Sequence, residues 1–482
     1  MQNLVVVSTK RDLDLLEQAN FQVIDVDEYL SKDMAELKRA RVFNLCRDYS
    51  YCKKGYYVSL IAEARGHRPL PSVSSLMELE TKSSKRFVDE RVHDMLQKAF
   101  RNLKTDDFEL SIYFGKNLAE RYSALSRVLF QLCPAPLLRA QFNRKDDEWH
   151  LRSIKPISLR DVQEAHTDFL ISSMNEYFLG SSAGQSHKKK QMRYDLAILI
   201  NPAEKMPPSN QRTINKFIQA GSRLRIHCEQ IESKDMSILS RFDALFIRET
   251  TNVNDHTYQF ASRAHNDGLV VIDDPLSIIR CCNKIYLNDL LMRKKIPQPK
   301  TQILLKTKDI KDIKLSFPLV VKKPDSSFST GVKKVDNIDA LRIILEEFFQ
   351  ETDLVILQEF LKSDFDWRVG LIDGEPLYVC KYFMARDHWQ IINHSSQSEK
   401  MGGIETFALS EVPEQLLRLA KKSCEPIGNS LYGVDIKEIN GQYYVIEVND
   451  NPNIERGNED HIAGENLYLR VMSSFLRRME MR

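Results

Sequence analysis

Three oxygen-bearing side chains, Asp435, Glu447 and Asn449, fall within the stretch GVDIKEINGQYYVIEVNDNPN (433–453). The tetrapeptide INGQ reads as a turn between two strands. Asp435 is then expected at the start of one strand, with Glu447 and Asn449, two positions apart, on one face of its partner. Two carboxylates and an amide oxygen converging in this way suit a hard divalent cation such as Mg²⁺, which takes oxygen ligands and commonly shares them with substrate phosphates. Tyr444, Ile446 and Val448 are expected to make the opposite face apolar. The plainer alternative is an exposed hairpin face that carries acids by chance.

A second element is FPLVVKKPDSSFSTGVKKV (317–335). Lys322 ends an apolar strand, where a charge is costly unless it meets an anion such as a phosphate. The following SSFSTG offers hydroxyls and backbone N–H groups in a turn able to cradle phosphate and to close as a lid. No GxxxxGK[ST] is present, which excludes a P-loop. The alternative is an ordinary hairpin with a solvated lysine end.

In LVILQEFLKSDFDWRVGL (354–371), an extended segment through Glu359 and Phe360 presents donors and acceptors suited to an adenine edge. Asp366 and Arg368 share one face of the next strand, either at a site or as a surface ion pair. Lys381 in YVCKYF and Asn393 in WQIINHSS are polar residues inside apolar strand patterns, and Lys284 lies in the helix after RCCN. His394 and His461 lie in the same third of the chain and read as surface or structural residues. No GxGxxG after a strand, no GxSxG and no HExxH occurs.

The elements that must position these residues follow from patterning. NLVVVSTK, RDLDLLEQANF and QVIDVDEYL read strand, helix, strand, and the first 180 residues read as a mixed α/β domain. GSSAGQSHKKKQ (180–191) reads as a linker. From YDLAILINP to GLVVIDD, strand and helix alternate as in a parallel βαβ layer. Beyond it, the IDGE and INGQ turns mark antiparallel hairpins.

Length and composition bound the function. A chain of 482 residues implies two or three domains. With 69 Lys+Arg against 67 Asp+Glu and a net charge of +2, no basic domain for nucleic acid is expected. Apolar residues make up 42% of the chain, which excludes wholesale disorder. The longest apolar runs fall far short of the ~20 residues a membrane span needs, and the N-terminal residues lack a secretory pattern, so a cytoplasmic protein without membrane partners is expected. The eight cysteines contain no CxxC pair and read as reduced thiols.

Taken in order, NKIYLNDLLMRKKIPQPKT, PLVVKK, VILQEFLKSDFDWRV and GVDIKEINGQYYVIEVNDNP resemble the ATP-grasp fold, most closely the RimK-like carboxylate–amine ligases. The resemblance implies an α/β chain, α+β in its C-terminal part. Residues 1–180 would be an extra N-terminal domain, 181–193 a linker and 194–275 a pre-ATP-grasp domain. Residues 276–355 would form the nucleotide-clamping central domain and 356–482 the metal-binding C-terminal domain.

The resemblance further implies that Lys322 contacts ATP phosphates, with Lys284 as a second contact. Glu359 and Phe360 frame the adenine, Asp366 lies on the ribose side and Asn393 near the phosphates. Asp435, Glu447 and Asn449 hold two Mg²⁺ ions, or Mn²⁺ in their place, with Glu447 bridging. Two departures bear on the added substrate. Gln390, Ile391 and Ile392 stand where RimK has a basic residue before the asparagine, and Ser326, Ser327, Ser329 and Thr330 replace phosphate-loop glycines.

The implied reaction joins a carboxylate substrate to an amine such as an amino acid through an acyl phosphate. Glutamate or a relative would be added to a peptide, a protein terminus or a metabolite. Arg368 or Lys381 would neutralise the tetrahedral oxyanion. A small-molecule kinase on the same fold and a nucleotide-sensing scaffold are the alternatives, and homo-oligomerisation is left open.

Overall fold

A computed structural model of the chain describes residues 2–16, 21–31, 37, 40–81, 90–179, 192–307, 310–325, 331–386, 388–393 and 400–481. The expected lid residues 326–330, His394 and most of the expected linker lie outside the described residues.

The strands β1 (Gln2–Val7), β2 (Gln22–Asp25), β3 (Ala40–Asn44) and β4 (Arg68–Leu70) form a parallel sheet in the order β2-β1-β3-β4. The run Leu4–Val7 is fully buried because both faces of this sheet are covered. Leu4 and Val6 pack with Tyr29 and Val58, while Val5 and Val7 join an aromatic core around Phe100, Phe142 and Trp149. That core is shared with an antiparallel sheet of β5 (Asp107–Tyr113), β6 (Leu137–Lys145) and β7 (Glu148–Pro156).

A second parallel sheet follows: β8 (Tyr194–Leu199), β9 (Ile226–Ile231), β10 (Ala244–Ile247) and β11 (Val270–Ile272), in the order β11-β10-β8-β9. Leu196, Ile198 and Phe246 face Leu467, Val471 and Phe475 of the helix Glu465–Glu480. Ala197, Leu199 and Leu245 pack beneath Phe260 and Ala264 of the helix His256–Asn266.

Two antiparallel sheets complete the chain. The first consists of β12 (Thr301–Leu305), β13 (Leu319–Lys322), β14 (Val332–Val335) and β15 (Leu354–Glu359), in the order β12-β15-β13-β14. The helix Ile338–Phe348, capped by the Asn337 side chain, covers one face through Leu341, Leu345 and Phe348. The second contains β16 (Phe365–Ile372) and β17 (Glu375–Phe383); a short ladder of β18 (Ile392–Asn393) and β19 (Lys400–Met401) follows in sequence. It is completed by β20 (Ile404–Phe407), β21 (Leu431–Ile439) and β22 (Gln442–Asp450), in the order β20-β17-β16-β21-β22.

Both expected hairpins are present. Asp373 and Gly374 link β16 to β17, Asn440 and Gly441 link β21 to β22, and all four have positive φ, which favours Asp-Gly and Asn-Gly pairs. Trp367, Val369, Val434 and Val448 face the helix Glu414–Cys424, while the opposite face packs Tyr378 and Cys380 into the cluster of the helix Glu465–Glu480 and also carries the polar residues Arg368 and Asp435. Among the described residues no helix is long and apolar enough to cross a membrane, and all eight cysteines are free thiols.

Candidate functional site

The two antiparallel sheets border a cleft of about 480 Å³, which is also lined by residues of the loops after β8 and β10. Its chemistry starts in the β21–β22 hairpin. Asp435 pairs directly with Glu447, and Gly433 with Asn449. Asp435 lies in the middle of β21, not at its start as the sequence suggested. The ladder then skips Ile446, so Ile436 opposes Val445. This bulge corrects the expected apolar face: Val445 and Val448 enter the core, whereas Ile446 lines the cleft beside Glu447.

Each carboxylate of the hairpin meets a cation. Arg368, opposite Asp435 across β16 and β21, grips it with two guanidinium nitrogens, Nε on Oδ1 and Nη2 on Oδ2 at 2.8 Å. Burial raises the Asp435 carboxyl above its ordinary value, opposed by Arg368; burial also works against the Arg368 charge, but Asp435 holds it well above normal. The Asn449 amide donates to Asp435 Oδ2 at 3.2 Å. Glu447 Oε1 lies 3.0 Å from Lys284 Nζ. Burial alone would raise Glu447, yet the Lys284 and Lys322 ammonium groups hold it below the usual carboxylate range.

Lys322 reaches the cleft from the end of β13. Burial pushes it down to about 8; Glu447 opposes that shift, while Lys284 and Lys437 reinforce it. No hydrogen bond or ion pair to its ammonium comes from the described residues. Asp366 is bound by Lys437 Nζ at 2.5 Å. Sequence reading missed Lys437, although it lies two positions from Asp435 on β21 and lines the same cleft.

At the other end of β15, Glu359 Oε1 accepts from the Lys300 N–H at 2.9 Å, and Phe360 packs edge-on to Trp389 with ring centres 5.9 Å apart. Trp389 was also missed, since nothing in its local pattern marks it.

Two expected residues stand apart. Lys381 pairs with Trp367 in the register of β16 and β17, so it points to the covered face of the sheet. Its ammonium lies 4.3 Å from the Phe365 ring centre, 4.7 Å from that of Trp367 and 5.2 Å from that of Phe407. This corrects the assignment of Lys381 to the oxyanion. Asn393 contributes its backbone to the β18–β19 ladder, and its side chain is outside the description. His461 is exposed and is not part of the cleft lining.

Arg248, which no local pattern marks, fixes the end of the hairpin. Arg248 is fully buried at the end of β10 and donates to Ser209 Oγ, to Asn451 Oδ1 at 2.6 Å and to the carbonyls of Pro208 and Pro452. It ties the loop after β8 to the chain leaving β22. Burial lowers it to about 10, with Asp273 opposing, so it stays charged at neutral pH.

Among the described residues, no three His, Cys, Asp or Glu side chains converge into a metal cage.

Two antiparallel sheets closing on a cleft, one bringing lysines and the other a carboxylate hairpin, are the arrangement of an ATP-grasp protein. Residues 281–466 match the RimK-like ATP-grasp domain and residues 26–173 the RimK-like ATPgrasp N-terminal domain. The chain belongs to the RimK-like ATP-grasp family, as the sequence resemblance implied.

It is 33% identical over 257 residues to the alpha-aminoadipate–LysW ligase LysX of Saccharolobus solfataricus, covering 49% of this chain and 87% of that one. It is 29% identical over 231 residues to the tetrahydromethanopterin:alpha-L-glutamate ligase of Methanocaldococcus jannaschii, covering 45% and 74%. Among solved structures, a D-alanine–D-alanine ligase from Bacillus anthracis superposes with a TM-score of 0.48 at 20% identity, covering 60% and 99%.

Proposed function

We propose that the protein is an ATP-dependent carboxylate–amine ligase. ATP phosphorylates a carboxylate, and an amine displaces phosphate from the acyl phosphate to form an amide. The observation that carries this reading is the meeting, in one cleft, of Lys322 and Lys284 with Asp435, Glu447 and Asn449. Relatives named as ligases of α-aminoadipate and glutamate support it.

In this reading Lys322 and Lys284 take the phosphates, the main chain at Glu359 and the Phe360 ring frame the adenine, and Asp366 serves the ribose side. Asp435, Glu447 and Asn449 present two carboxylates and an amide, an all-oxygen set that suits two Mg²⁺ ions, or Mn²⁺, only when nucleotide oxygens complete it. Bound Mg²⁺ would neutralise charge on the phosphoryl oxygens. Lys284 keeps Glu447 ionised and aimed into the cleft. Arg368, engaged by both Asp435 oxygens, orients that carboxylate; a role at the oxyanion requires this pair to open.

We read residues 194–275, 276–355 and 356–482 as the three parts of the ligase unit, residues 181–193 as the linker before it, and residues 1–180 as selecting a substrate or partner. The cytoplasm is the proposed compartment. Incubation with Mg·ATP and paired acids and amines tests the reading. ADP, free phosphate and an amide are expected, whereas ADP without free phosphate would indicate a kinase and no turnover a nucleotide-binding scaffold.

A further inference from the structure

Besides Arg368 and Asp435, the strands β16 and β21 carry a second acid–base pair. Their ladder sets Arg368 against Asp435 and Trp367 against Ile436, so Asp366 and Lys437 stand opposite one another one step further along. The two pairs have opposite polarity, since β16 supplies the cation of the first and the acid of the second. All four side chains line the cleft.

The second pair is held from one side. Lys437 Nζ lies 2.5 Å from Asp366 Oδ1 and donates to Ser363 Oγ at 2.6 Å, and the Ser363 hydroxyl donates to the same Asp366 oxygen at 3.4 Å. Asp366 is 8% exposed, and its Oδ2 has no hydrogen-bond partner among the described residues. Asp435 differs, because Arg368 takes both of its oxygens.

An ionised carboxylate accepts hydrogen bonds and donates none, and it repels phosphate oxygens. Of the groups on a nucleotide, Asp366 Oδ2 therefore suits a neutral donor, and the sugar hydroxyls are such donors. A carboxylate whose other oxygen is fixed by a buried ammonium keeps one orientation without the ligand, so less freedom is lost on binding.

We infer that Lys437 is a positioning residue for the nucleotide sugar: together with Ser363 it holds one oxygen of Asp366 and so aims the other at a ribose hydroxyl. The inference deepens the ligase reading and rests on it for the presence of a nucleotide in this cleft.

The test titrates the full chain calorimetrically with the magnesium complexes of ADP, 2′-deoxy-ADP and 3′-deoxy-ADP. The unaltered protein should bind ADP at least tenfold more tightly than one of the deoxy analogues, the loss expected for a hydrogen bond to a charged group. Lys437→Met should bring that ratio below threefold, and Lys437→Arg should preserve it. The exchange Asp366→Lys with Lys437→Asp restores an ion pair, so it should recover the melting temperature but not the ratio. Lys437→Gln replaces Lys437→Met if the latter does not fold. A ratio left intact by Lys437→Met, with all three nucleotides weakened alike, or a ratio recovered by the exchange would mark a purely structural ion pair and overturn the inference. Equal binding of the three nucleotides by the unaltered protein would also overturn it, whereas no binding of Mg·ADP at all would overturn the ligase reading beneath it.

Discussion

Lys284 Nζ lies 3.0 Å from Glu447 Oε1, while Lys322, reaching the same carboxylate's surroundings from another sheet, has no partner of its own among the described residues. One ammonium is therefore satisfied within the protein, and the other is left for an anion. That asymmetry makes Lys322 the sharper probe of nucleotide binding.

Lys322→Ala should weaken Mg·ATP by at least tenfold, because a charge-assisted contact typically contributes ~1.5–3 kcal/mol. The apo protein should not lose stability, since the variant removes a buried ammonium placed beside Lys284 and Lys437. Calorimetry and a melting curve check the two halves.

The Lys322 value of about 8 gives a pH signature. Its folded value lies below the usual ~10.4, so between these limits the unfolded chain binds more protons, and stability rises with pH. Phosphate favours the protonated form, so Mg·ATP affinity should fall as pH rises through 8. Lys322→Arg, charged throughout, should abolish that fall. Dissociation constants from pH 7 to 9.5 decide it.

Glu447→Gln should lower phosphate release at least a hundredfold, or ~2.7 kcal/mol, because it removes a charge from the oxygen set. Glu447 offsets both Lys284 and Lys322, so the apo variant should also lose about 1–3 kcal/mol. Chemical denaturation of the variant without ligand measures it.

Arg248→Leu should be the most damaging of these changes to folding. It leaves Asn451 Oδ1, Ser209 Oγ and two carbonyls buried without their donor, at about 3–5 kcal/mol by analogy with a broken buried ion pair. A denaturation midpoint unchanged from that of the parent would refute the clamp.

The hairpin acids, Lys322 and the Asp-Gly and Asn-Gly turns were legible because alternation and turn chemistry are local. The bulge at Ile446 was not, since one inserted residue breaks the period of two on which the face assignment depended. Lys381 was misread for a related reason: alternation groups residues by face but does not say which face a distant helix covers. Arg248 was invisible because its partners lie about 40 and 200 residues away in sequence, in pairings set only by tertiary packing.

The most direct measurement follows an oxygen atom. Supplied with Mg·ATP, a pool of amino-acid amides and a pool of carboxylic acids labelled with ¹⁸O in the carboxyl group, a ligase that forms an acyl phosphate breaks the C–O bond when the amine attacks, and that oxygen leaves with the phosphate. Mass spectrometry of the released phosphate should show one ¹⁸O, matched by the amide product. Unlabelled phosphate, or label retained wholly in the acid while ADP accumulates, would contradict the account.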